Sequence, residues 1–150
     1  MGLNKEVFIV AKSVSVVDPY DDSDPDVIQL PVDGSFVDVL SVDVCVKNSK
    51  RTQVSLDSFA QIAMTGGDGA GGATLLSVTY EILRSNTILA TINNTMDYAS
   101  VNLGRHTNFP NFPVVDEEPN VGINTYILRC SSGGGPNVAS RSLKAIVITL

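Results

Sequence analysis

Apolar and polar residues alternate along most of this chain. After Gly34, Leu40, Val42, Val44 and Val46 fall on one parity, and Ser41, Asp43, Cys45 and Lys47 on the other. Val78, Tyr80 and Ile82 alternate with Thr79, Glu81 and Leu83. Tyr126, Leu128 and Cys130 alternate with Ile127, Arg129 and Ser131. Successive side chains of a strand point to opposite faces, so this period of two predicts half-buried antiparallel strands. Residues 54–64 have enough apolar positions for a helix but alternate equally well, and they read as strand. Turn chemistry recurs at short intervals: Asp18-Pro19, Asp24-Pro25, Asp33-Gly34, Asn48-Ser49, Ser85-Asn86, Asn93-Asn94, Pro119-Asn120 and Gly133 to Pro136. Strands are predicted near residues 7–17, 27–31, 36–47, 53–64, 74–84, 87–93, 97–103, 121–131 and 141–149. Many short strands without crossover helices make one antiparallel jelly-roll sandwich of eight to ten strands, spanning residues 1–150.

Two segments depart from clean alternation. In the stretch from Ser142 to Leu150 both parities are largely apolar, with Ile146, Ile148 and Leu150 on one and Ala145 and Val147 on the other. The first segment, Val7-Phe8-Ile9-Val10-Ala11, has the same two-sided character. A strand that is apolar on both faces packs against something on each. One face meets the sandwich core. The other is expected to meet a neighbouring subunit through Val7, Ile9, Ala145 and Val147, with intramolecular cover by a loop as the alternative.

Composition agrees with strands. Of the 150 residues, 43% are hydrophobic and 17% charged, and strong helix formers such as Glu and Lys are few. A chain this long buries a core without metal or disulfide. The net charge is −6, and the basic residues are scattered apart from Lys47, Lys50 and Arg51 in one turn. Nucleic-acid binding needs clustered positive charge, so no nucleic-acid partner is expected. No stretch is long enough to span a membrane as a helix, and the N-terminal residues read as neither a signal peptide nor a myristoylation site.

Candidate chemistry is sparse. His106 is the single histidine, too few for a multi-histidine metal site, and no nucleophile-elbow sequence accompanies it. It reads as an exposed loop residue, and no catalytic residue is expected. Asp22, Asp24 and Asp26 alternate like the first half of a calcium loop, but Val27 stands where the turn glycine belongs and Asp33 where the closing Glu belongs. They are weak calcium candidates, and a solvated acidic turn is the plainer expectation. The Gly66–Gly72 run lacks the Lys-Ser/Thr ending of a phosphate loop and reads as a surface loop. Phe109 to Pro113, with two prolines, reads as an extended loop pinned to the sandwich. Asn93-Asn94-Thr95 matches a glycosylation sequon. Cys45 lies on the polar parity of its strand and Cys130 on the apolar parity, so two free thiols are expected, with Cys45 nearer the surface.

The segments Leu30 to Gly34, Val54 to Phe59, Val78 to Arg84, Gly122 to Arg129 and Arg141 to Ile148 occur in an order that resembles the bacterial jelly rolls related to the C1q and tumour-necrosis-factor fold, found in exosporium and other spore-surface proteins. The resemblance covers most of residues 27–150. It implies a ten-strand jelly roll, usually a homotrimer, displayed on a cell or spore surface or at a fibre end, alone or with other surface proteins. Such proteins need no secretion signal. No Gly-X-Y run stands ahead of the domain, unlike collagen-tipped relatives. The competing expectation is a carbohydrate-binding adhesin or phage tail-fibre-type receptor-binding domain, with Tyr20, Tyr98 and Phe109 stacking on sugars. An enzyme is the third possibility.

Overall fold

A computed structural model describes residues 6–65, 73–99 and 105–150. These form ten strands: β1 (Glu6–Val14), β2 (Ile28–Gln29), β3 (Val37–Val46), β4 (Thr52–Thr65), β5 (Ala73–Arg84), β6 (Thr87–Ala99), β7 (Arg105–Asn108), β8 (Asn111–Asp116), β9 (Gly122–Ser131) and β10 (Asn137–Thr149). The single helical turn among the described residues is the 3-10 segment Ser49–Arg51. One sheet runs β1-β10-β4-β7, with β2 also on β10 and β8 also on β4. The other runs β3-β9-β5-β6. Every pairing is antiparallel. Non-consecutive strands lie side by side in both sheets, as the predicted jelly roll requires.

The alternation read from the sequence sets which residues meet. Val42, Val44 and Val46 of β3, Val78, Tyr80 and Ile82 of β5, and Tyr126 and Leu128 of β9 point inward from the four-stranded sheet. They meet Val54, Leu56 and Ile62 of β4 and Leu143, Ala145 and Val147 of β10. Each of the larger side chains contributes about 1.5–3 kcal/mol by leaving water. Residues 54–64 are strand throughout, inside β4.

Three expectations are corrected. The Asn93-Asn94 pair does not turn the chain: β6 runs through it, with Asn93 opposite Thr79 and Asn94 opposite Val78. The Asn93 amide oxygen accepts the Thr79 hydroxyl at 2.9 Å, so the polar pair is absorbed into the ladder. The Phe109–Pro113 region is flanked and partly formed by β7 and β8, where Pro113 is tolerated on a strand at the sheet margin. His106 is half-buried in β7 opposite Met64, not on an exposed loop. The Gly66–Gly72 run lies outside the described residues.

Buried polar groups clamp the two sheets. The Arg84 Nη1 donates to both Asp116 oxygens at 2.8 Å and to the Glu118 carbonyl at 2.7 Å, while the Tyr126 hydroxyl donates to Asp116 at 2.7 Å. This joins β5, β8 and β9. Burial, then the bond to Asp116, raises the Tyr126 phenol above its ordinary range. Arg141 is buried and donates to the carbonyls of Val39, Asp26 and Ala139. It sits where the register of β10 shifts between Val138 and Arg141.

Candidate assembly face

The outer face of the six-stranded sheet carries a cluster of apolar side chains that the core does not use. Facing residues of an antiparallel pair share a side of the sheet. Val7 pairs with Ile148 and Ile9 with Ile146, and all four lie on the side away from the core. Val7 is 57% and Ile9 60% exposed, while Ile146 and Ile148 are half-buried in the middle of the sheet. Across β4 the same face continues through Gln53 and Ser55 to Val115 on β8, which is also exposed. At the far end Phe59 stacks on exposed Phe109, with centroids 5.9 Å apart. Single exposed apolar residues are ordinary on a protein surface, but Val7, Ile9, Ile146 and Ile148 adjoin one another across β1 and β10.

The four residues expected at an interface divide between the two faces of the sheet. Val7 and Ile9 do face outward, beside β10. Ala145 and Val147 do not: they are buried in the core, opposite Leu56 and Val54 of β4. The outward residues of β10 are Ile146 and Ile148. Both parities of this strand are apolar, so alternation alone leaves the choice of face open. Val54 and Leu56 lie beside Val147 and Ala145 on the same inner face of the sheet, and all four pack into the core.

The other candidates are dispersed. Asp22 accepts from the Asn137 amide at 2.7 Å, and Asp24 accepts the Asp26 backbone N–H at 2.9 Å. Three successive turns close at Asp18, Asp21 and Asp24, with the Ser23 hydroxyl and N–H holding the Asp21 carboxyl below the ordinary carboxylate range. Among the described residues no three acidic, histidine or cysteine side chains come together as a metal-ion cage. Tyr20 has the Arg105 guanidinium 4.7 Å above its ring and its hydroxyl bonded to Thr107, so that ring face is already covered. The Tyr98 side chain lies outside the described residues. Cys45 is exposed and Cys130 buried, and both are free thiols, as the parity argument requires. Burial pushes the Cys130 thiol up to about 12. No helix among the described residues is long and apolar enough to cross a membrane.

No family model matches the chain. No curated protein matches it. Among solved structures it is similar to the VP2 subviral particle of infectious bursal disease virus, at 14% identity and a TM-score of 0.46, over 97% of this chain and 33% of that one. It is also similar to dimeric latent PorU from Porphyromonas gingivalis, at 10% identity and a TM-score of 0.42, over 97% of this chain and 13% of that one. The chain thus spans about a third of the capsid chain it matches.

Proposed function

We propose that this chain is a structural, self-assembling subunit and not an enzyme, and that copies associate through the outer face of the six-stranded sheet. The observation that carries this is the Val7–Ile148 and Ile9–Ile146 pairing on one open face. Burying apolar surface is worth about 25 cal/mol per Å², which favours a partner for such a face. A homotrimer on a spore or cell surface, alone or with other fibre proteins, is the assembly implied by the resemblance to C1q- and tumour-necrosis-factor-like jelly rolls.

The test is Ile9→Asp, followed by circular dichroism and light-scattering mass. A charge at this exposed position leaves the monomer folded but must be desolvated in the interface, where it has no partner. The mass is expected to fall below that of the wild-type protein. An unchanged mass would show that the face is not the contact.

A further inference from the structure

The sandwich has four sheet margins, and three carry features that discourage pairing with another chain. Charges, prolines and bulges are the usual protections of an edge strand. β1 carries Glu6 and Lys12. β3 carries Asp38 and Asp43, and its register is irregular between Asp38 and Leu40. The β7–β8 margin is interrupted by Pro110 and contains Pro113.

β6 is different. It is 13 residues long and contains no Lys, Arg or Pro, and its single charged residue is Asp97. Its register with β5 is regular from Ala90 to Ala99, the one irregularity falling beside Leu83. Among the described residues it pairs with β5 alone, and no described strand takes up the backbone N–H and C=O groups on its far side.

We propose that β6 is a second assembly edge, pairing antiparallel with β6 of another copy so that two four-stranded sheets become one continuous sheet. Self-complementarity argues for a second copy as the occupant. With the two-fold axis at Asn94, Asn93 faces Thr95 and Ile92 faces Met96. Asn93 and Thr95 are both exposed, whereas Ile92 and Met96 both pack partly against the core. Each residue therefore meets one from the same side of the sheet, as antiparallel pairing demands. Asp97 falls opposite Thr91, so no like charges oppose one another. This edge is a separate surface from the outer face of the other sheet. A closed contact through that face, combined with a two-fold contact through β6, joins closed units into a larger array.

The experiment starts from Ile9→Asp, which disables the outer face, and reads mass by light scattering at high concentration. A dimer is expected. Adding Asn93→Lys and Thr95→Lys places lysines opposite lysines across the axis and should give a monomer. Adding Asn93→Lys and Thr95→Glu instead places opposite charges together and should keep the dimer, with circular dichroism confirming that both folds persist. An Ile9→Asp protein that is monomeric, or a dimer indifferent to the lysine pair, overturns the proposal while leaving the outer-face reading intact. If Ile9→Asp keeps the wild-type mass, the outer-face reading alone fails, and the lysine pair placed in the wild-type chain decides: a lower mass supports the β6 edge and an unchanged mass overturns it.

Discussion

The outer surfaces of the two sheets differ in how much of each is tied up in polar cross-strand pairs. On the four-stranded sheet, polar side chains pair across strands: Thr125 donates to Asp43 at 2.7 Å, Arg129 Nε donates to Glu81 at 2.7 Å, and Thr79 donates to Asn93 at 2.9 Å. The Arg129 guanidinium also covers the Phe36 ring, 4.4 Å from its centroid. Apolar residues stand among these pairs, Ile123 and Leu75 singly and Ile88, Leu83 and Ile127 as a short row across β6, β5 and β9. On the six-stranded sheet the outer rows are Val7–Ile148 and Ile9–Ile146, and Lys144 with Asp57 at 2.8 Å forms an ion pair beyond them. A polar face can satisfy itself in water through cross-strand pairs. An apolar row cannot, and the proposed contact is placed on the second face for that reason.

The sharpest test of this contrast uses two adjacent residues of β10. Val147→Asp buries an unpaired charge in the core and should cost at least about 3–5 kcal/mol, enough to unfold much of the protein. Ile148→Asp, one residue on but on the opposite face, should keep the fold and lower the assembly mass. Circular dichroism and light scattering on the pair would expose an exchanged face at once.

The two cysteines make the same comparison across the four-stranded sheet. Cys45 on the outside should alkylate in the native protein, and Cys130 only after unfolding. Because the folded Cys130 thiol is raised to about 12, its neutral form is the native one. Its contribution is fully present below the unfolded thiol value. It is lost as pH climbs toward 12, at up to about 1.4 kcal/mol per pH unit. Urea midpoints should fall across that window, and Cys130→Ala should flatten the fall. A profile identical in the variant would remove Cys130 as a cause.

Smaller effects follow on the polar pairs. Glu81 is buried and faces Arg129, so Glu81→Gln should destabilise by about 1–3 kcal/mol with no change in mass. A change in mass would mean that the polar face also takes part in assembly. Lys144→Ala removes a largely exposed pair and should cost about 0–1 kcal/mol in the Ile9→Asp protein, whose outer face is disabled. A clearly larger cost in the intact assembly, by thermal melting, would show that the pair is desolvated there.

Where one parity is apolar and the other polar, as in β3, β5 and β9, the sequence is enough to orient the strand. It fails where that contrast disappears. β10 is apolar on both parities, so Ile146 and Ile148 are expected in the core, whereas the inner face, beside Val54 and Leu56 of β4, carries Ala145 and Val147. Asn93-Asn94 resembles a turn because asparagine favours turns locally, yet a cross-strand partner at Thr79 outweighs that preference. β7 and β8 were hidden by prolines, which exclude a central strand but not a marginal one. Of the assembly face, Val7 and Ile9 were legible as a two-sided segment. Val115 was not, since its exposure depends on β8 lying beside β4.

β10 hydrogen-bonds to β1, β2 and β4, and Arg141 within it reaches carbonyls as distant in sequence as Val39 and Asp26. It also follows every other described strand along the chain. During synthesis, which proceeds from the N-terminus, β1 and β4 emerge long before the strand that must lie between them. Pairings this far apart in sequence form slowly. The Ile9–Ile146 row therefore cannot exist until β10 has emerged, and the face proposed for assembly forms later than the strands on either side of it. On the proposed assembly, a nascent chain that still lacks β10 would have no such row to offer another copy.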